Sequence, residues 1–235
     1  MLLAINTCLR HVEIALIDTE SNTVIKEFSE ESERNHTEKV FEFISKALEL
    51  GPSDSPNGIQ SQTLTPDKVL VVTGPGAFTS IRVGVVTANT IAFAASAKGV
   101  KSELYAIDLV TLFKQEDSAN ALNKPMTTLP IFLSAGKSEI YELKSLDNFV
   151  KNDADKFFEE ISSEFYGDLS ETHKLLLKYP NLLKKRKLTF GEAVLQMIKN
   201  GTLETHKVKP DEKGIAQVLP TYLKEPNISI STKGI

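Results

Sequence analysis

The apolar positions of this chain fall into short continuous runs and longer three-to-four spacings, and the clearest junction between the two lies at residues 68–97. Val69-Leu70-Val71-Val72 is an uninterrupted apolar run, the pattern of a strand covered on both faces, and it leads into Thr73-Gly74-Pro75-Gly76-Ala77-Phe78. Gly74, Pro75 and Gly76 force a turn, because glycine reaches dihedrals closed to other residues and proline fixes φ and donates no hydrogen bond. Thr79 or Ser80 can cap the helix that follows. That helix carries Gly84, Ala88, Ala92 and Ala95 at spacings of three and four, a face with almost no side chain that lets another backbone come close.

Upstream, residues 2–7 form a short apolar strand, and His11 to Ile17 alternates polar and apolar as a second strand does. Asp18 to Asn22 is a turn and Thr23 to Ser29 a third strand; connections this short imply an antiparallel meander. Asn35-His36-Thr37-Glu38 has the spacing of a capping box. The helix behind it places Val40, Ile44, Ala47 and Leu48 on one face, with Phe41, Phe43 and Leu50 left over, and Gly51-Pro52 stops it. Residues 52–66, rich in Ser, Pro, Gln and Thr, read as a surface insertion. Three strands, a helix, a strand and a helix predict a mixed sheet with helices against it, one half of the ribonuclease-H-like arrangement used twice in sugar kinases, actin and related ATPases.

Downstream, Leu104 to Lys114 is expected to be helical, with Ala106, Leu109, Val110 and Phe113 on one side. Asp117 to Thr128 is a polar connection. Leu129–Leu133 and Glu139–Leu143 predict a hairpin around Ser134–Ser138. Phe149 to Ser163 reads as an exposed helix, Lys174 to Leu177 as a strand, and Thr189 to Asn200 as an amphipathic helix closed by Gly201. No repeat at a fixed period is visible.

Composition bounds the function. At 235 residues and 41% apolar content the chain can bury a large core in one or two domains. A formal charge of −4 and a pI near 5.7 argue against binding nucleic acid through an overall positive field; the one dense basic run, Lys184-Lys185-Arg186-Lys187, reads as a solvated face. Cys8 is the only cysteine, so no internal disulfide is possible and a reducing compartment is expected. The start has no basic region and no run of eighteen apolar residues occurs, so neither a signal peptide nor a membrane span is expected and the chain reads as cytoplasmic.

The strand, glycine turn and helix N-terminus also describe an anion site, with Gly74, Gly76, Thr79 and Arg82 as the candidate contacts. No lysine follows Gly76 at the spacing of a nucleotide phosphate loop, and the dinucleotide and serine-nucleophile glycine motifs are absent. A tight turn feeding a close-packed helix explains the same residues. Arg82 suits a phosphate contact or a structural ion pair. His11, His36, His173 and His206 are scattered without a ligand-spaced pair, so no metal is expected. Cys8 reads as a packing residue, and no catalytic constellation is assembled.

The run from Gly74 to Ala88 resembles the G-P-G-S-F-T-G-L-R-I-G-x-x-x-A run of the TsaB (YeaZ) family of tRNA threonylcarbamoyladenosine biosynthesis proteins. Leu3–Thr7 resembles that family's L-A-I-D-T opening, Arg34–Glu38 its R-x-H-S-E helix start, Ser134–Tyr141 its D-A-R-x-G-E-V-Y hairpin and Leu219–Lys224 its closing P-x-Y-L-R, in the same order along nearly the whole chain. Asn6 replaces the first-strand Asp, Ser80 a glycine, Ser134 an Asp and Gly136 an Arg. Asparagine brings no negative charge to a metal, which weakens a kinase reading.

The resemblance implies an α/β, actin-like ATPase (ASKHA) fold in two sequential mixed-sheet subdomains, 1–103 and 104–235. It implies a scaffold, non-catalytic on its own and without a cofactor, that binds and activates TsaD in threonylcarbamoyl transfer to the adenosine next to the tRNA anticodon. A TsaE-like ATPase would be a further partner, the chain alone a homodimer, and tRNA met only indirectly. Its first two helices would form the interface through His36, Val40, Phe41, Phe43, Ile44, Ala47, Gly84, Ala88, Ala92 and Ala95. An active phosphotransferase or ATPase of the same fold is the alternative; a peptidase would need the metal-ligand pair that is missing.

Overall fold

The computed structural model describes residues 1–32, 35–50, 62–118, 129–134, 138–145, 148–212 and 214–222. Arg34, most of the expected insertion, residues 119–128, Gly136 and Leu223–Lys224 lie outside them. The chain opens with the expected meander, β1 (Leu2–Asn6), β2 (His11–Asp18) and β3 (Thr23–Glu31), followed by α1 (His36–Leu48). The short β4 (Glu49–Leu50) and β5 (Gln62–Thr63) pair with each other; β6 (Lys68–Val72), α2 (Phe78–Ala97) and β7 (Glu103–Ile107) follow. The first sheet runs β3-β2-β1-β6-β7, antiparallel in the meander and parallel from β1 to β6 to β7.

Leu104–Lys114 is therefore not one helix. Its first residues are β7, paired to β6 through Leu104 beside Val69 and Tyr105 beside Leu70, and only from Leu109 does it become α3 (Leu109–Ser118). A buried parallel strand is apolar on both faces, so its side chains can mimic a helical stripe. The division expected at 103/104 falls inside β7, a strand of the first sheet.

The second sheet repeats the plan. β8 (Ile131–Ser134), β9 (Glu139–Ser145) and β10 (Asn148–Asp153) form a meander; α4 (Ala154–Glu160), β11 (Phe165–Asp168), α5 (Glu171–Leu175), β12 (Leu183–Lys184) and α6 (Phe190–Lys199) follow. The order is β10-β9-β8-β11-β12, with β11 parallel to both β8 and β12. Phe149–Ser163 is thus strand then helix, and the helix is anchored by Phe158, which is fully buried beside Phe132, Ile140 and Phe165. Lys174–Leu177 is no strand: α5 covers its start and leaves Leu175 exposed.

Helices cover both faces of the first sheet. α1 and α2 pack together on one face, over β2 and β6, while α6 packs on β2 and β3 from the other side and α3 packs on α6. Val40, Ile44, Ala47 and Leu48 face the sheet as the periodicity predicts, and Phe43 joins them, stacked on Phe28 with ring centroids 5.4 Å apart. The capping box at α1 does not form: Asn35 accepts a hydrogen bond from Ser32 Oγ at 2.6 Å instead. The box forms at α6, where Thr189 and Glu192 satisfy each other's backbone N–H groups.

Candidate functional site

The end of β1 and the glycine turn meet edge to edge. A Cβ on Gly76 would lie 2.1 Å from the Cys8 carbonyl oxygen, so only glycine lets the turn reach the strand end. Gly74, at φ +134°, has the same relation to the Thr221 carbonyl oxygen at 2.3 Å, and Gly84 to Thr7 Oγ1 at 2.4 Å. Thr7 Oγ1 donates to the Ser80 carbonyl oxygen at 2.7 Å, tying β1 to the first turn of α2. The C-terminal strap closes the other side: Thr221 N–H donates to the Thr73 carbonyl at 2.8 Å, Asn89 takes both backbone groups of Val218 at 2.9 Å, and Tyr222 packs on Phe78. α2 begins one residue before Thr79, with Ala77 at its N-cap, so neither Thr79 nor Ser80 caps it.

The four candidate anion contacts do not converge. Gly74 and Gly76 are held against backbone carbonyls, Thr79 lies on the exposed side of α2, and the Arg82 guanidinium sits 5.2 Å from the centroid of the Phe78 ring. Cys8 is buried, donates its thiol to the Val72 carbonyl at 3.2 Å, and burial pushes its pKa well up.

Asn6 is buried and fully committed. Its side-chain oxygen accepts the Cys8 N–H at 3.1 Å, and its Nδ2 donates to Glu13 Oε2 at 2.7 Å. Glu13, also buried, takes Arg186 on its other oxygen, and Arg186 lies over the Phe113 ring. The basic run is therefore only partly a solvated face, since Arg186 turns inward to neutralise a carboxylate that the alternating pattern of β2 gave no reason to single out.

Two clefts flank this network. The smaller, about 510 Å³, is bounded by Cys8, Arg10, His36, Gly76, Ser134 and Asp168 among others. Asp168 accepts the Arg10 N–H at 2.7 Å, and burial holds its carboxyl above the usual range against the pull of Arg10. Ser134 Oγ accepts the Ser170 N–H at 2.8 Å and shares a 2.7 Å hydrogen bond with Nδ1 of the buried His173. That pairing joins residues far apart in sequence, which is why spacing gave no sign of it. The larger cleft, about 820 Å³, lies between β2, β3 and the segment Lys184–Thr189. Among the described residues no group of three or more His, Cys, Asp or Glu side chains is gathered to hold a metal ion.

On the paired helices, Val40, Phe43, Ile44, Ala47, Gly84, Ala88, Ala92 and Ala95 are buried within this chain. The small-residue row thus lets α2 approach its own β1, as the Gly84–Thr7 contact shows. His36 is half-buried, 3.3 Å from the Leu9 carbonyl. The most exposed large apolar side chains on these two helices are Phe41 on α1, 60% exposed, and on α2 Val86 at 61% and Phe93 at 74%. Val86 and Phe93 are seven residues apart and share one stripe with Arg82 and Thr90. By length and composition α2 could cross a membrane, but its opposite face packs on the sheet.

Two mixed five-stranded sheets of identical strand plan, each backed by helices, define a ribonuclease-H-like, actin-like ATPase fold in two subdomains. The TsaD family model, described as tRNA N6-adenosine threonylcarbamoyltransferase, matches residues 19–201, more than half of the chain, and the chain belongs to this family. Within it the chain is YeaZ-like. YeaZ from Pseudomonas aeruginosa is 16% identical with a TM-score of 0.54, covering 94% of this chain and 99% of its own. A second structure, described as a protein with similarity to peptidase YeaZ from Pseudomonas aeruginosa, is 17% identical with a TM-score of 0.56, covering 95% and 99%. These are likenesses of fold. No curated protein sequence matches the chain.

Proposed function

We propose that this chain is a non-catalytic subunit that binds and activates a TsaD-type partner during threonylcarbamoyl transfer to the adenosine next to the tRNA anticodon. The observation that carries the reading is the outward apolar pair of α2, Val86 and Phe93, together with the exposed Phe41 of α1, the helix packed against it. Large apolar side chains at such exposure on two packed helices suit a helix-to-helix interface better than solvent. The contact residues are then these three with Arg82 and Thr90, and the buried row Gly84, Ala88, Ala92 and Ala95 sets the shape of the helix behind them. The same face would pair two copies when the chain is alone. Asn6, held by Glu13 and Cys8, brings no charge where a nucleotide-using relative of this fold would want one, which supports a scaffold over a phosphotransferase.

Co-purification of the tagged chain with a TsaD-type partner tests this, using Phe93→Glu, Val86→Glu and Ala88→Glu. A charge buried without a counterion costs several kcal/mol. Phe93→Glu and Val86→Glu are expected to keep the monomer melt and lose the partner, whereas Ala88→Glu collapses the melt. Partner binding unchanged by both outward substitutions overturns the assignment.

A further inference from the structure

The acidic chain carries one strongly basic stretch. Between Glu171 and Glu192 there are six Lys and Arg residues and no carboxylate. The fold gathers most of them at one place: Lys174, Lys184, Lys185, Arg186 and Lys187 line the 820 Å³ cleft between the sheets, with His11 on the opposite wall. Three carboxylates line it too, and each is already engaged. Glu13 holds Arg186 and Asn6, Glu27 accepts the Gly191 N–H at 2.9 Å and the Thr189 hydroxyl at 2.7 Å, and Asp168 accepts the Arg10 N–H. Lys174 and Lys184 have surface partners in Glu171 and Glu164, pairs of little individual worth that a phosphate can replace. Lys185 and Lys187 are exposed.

We propose that this cleft is an RNA-binding surface, in which Lys174, Lys185 and Lys187 contact the phosphate backbone of a structured RNA. The RNA class rests on the reading above, because the family acts on tRNA; the charge complementarity does not. Lysine clusters of this kind read phosphate rather than base, so the contact orients the RNA without selecting its sequence. The chain would then meet its partner through α1 and α2 and the RNA through the cleft, on a separate face.

The test is fluorescence anisotropy of a labelled, unmodified tRNA transcript titrated with the full chain at several salt concentrations. The triple variant Lys174→Gln, Lys185→Gln, Lys187→Gln is compared with Lys98→Gln, Lys101→Gln, Lys209→Gln, which removes the same charge from exposed sites away from the cleft. The first triple is expected to weaken binding about tenfold or more at low salt and to flatten the log–log salt slope by about 2, while the second stays within about twofold. Lys185→Glu alone, at an exposed site, should reproduce the direction if the triple variant melts early. Equal losses from both triples, no binding by the wild type, or displacement by free ATP at concentrations that do not screen charge each overturn the proposal. Capture of the TsaD-type partner is measured on the same samples: RNA binding without partner capture supports the cleft and sinks the subunit reading, and the reverse result does the opposite.

Discussion

Changing Asn6→Asp restores the acidic residue that the resembling family carries on its first strand, and in this chain it should be harmful. The Nδ2 of Asn6 donates to Glu13 Oε2 at 2.7 Å, with both side chains almost wholly buried. Replacing that donor with a carboxylate oxygen sets two acids against each other. With charge centres about 4 Å apart and an effective dielectric of about 20, the repulsion is about 4 kcal/mol. Protonating one of the pair at pH 7 is no cheaper, because lifting a carboxyl from a pKa near 4 costs about 1.4 kcal/mol per unit, again about 4 kcal/mol. Arg186 already faces Glu13 and offsets part of this, so we expect a net loss of about 3 kcal/mol. For a chain of 235 residues that lowers Tm by roughly 6–12 °C. Thermal melts at pH 7 and pH 4.5 read it: the gap to wild type should narrow at the lower pH, where a proton bridges the pair at little cost. Combining Asn6→Asp with Glu13→Gln exchanges amide and carboxylate and should remove the pH dependence of the gap, while recovering stability only in part because Arg186 loses its carboxylate partner. A single variant that melts with the wild type at pH 7, or a gap independent of pH, would refute the reasoning.

Two further outcomes follow from buried ionisable groups. The Cys8 thiol, buried and with its pKa pushed up, should resist a thiol reagent at pH 8 in the folded chain and react only on unfolding; prompt stoichiometric labelling of folded protein would show that the packing assignment is wrong. Burial raises the folded pKa of Asp168 above its ordinary value, so its contribution to stability is fully present below the ordinary aspartate range and is lost as pH rises through the folded value. Asp168→Asn should therefore gain on the wild type as pH rises from 3 to 7 in a series of melts, and a variant that loses ground to the wild type over that range would contradict the sign.

How far the sequence could be read depended on whether a local pattern had one structural solution. The meander, α1, the β6–turn–α2 junction, the β8–β9 hairpin and α6 carry periodicity or turn chemistry that tertiary context left intact. Leu104–Lys114 carried two solutions, and parallel pairing with β6 decided between them. A local signal was present: Asp108 accepts the Thr111 N–H at 2.8 Å and its hydroxyl at 2.7 Å, the mark of a helix starting after Asp108. At 149–163 the strand half was hidden because β10 is an edge strand with Phe149 and Val150 exposed, so no buried alternation shows. The repeated strand order of the two sheets left no repeat in the sequence, since hydrogen-bonded topology asks only for apolar and turn residues at each place. The site was harder still. The Glu13–Arg186 and Ser134–His173 pairings bridge residues brought together only by the fold.

The glycine turn, set between a strand and a helix N-terminus, is filled by backbone on the sides where an anion would need room. An anion needs free N–H groups and room for close approach. Here the room at Gly76 and Gly74 is taken by the carbonyl oxygens of Cys8 and Thr221, both acceptors that would repel a phosphate from those sides. The open side faces the smaller cleft, where Arg10, the arginine on its wall, is already paired with Glu31 and leaves no excess of positive charge. The glycines thus serve a backbone junction among β1, α2 and the C-terminal strap, and that junction fixes the pitch at which α2 presents Val86 and Phe93. Positive charge has collected instead in the neighbouring cleft, lined by Lys185 and Lys187 together with carboxylates already neutralised or hydrogen-bonded. On the RNA proposal above, a phosphate approaching this chain would be drawn there, away from the turn.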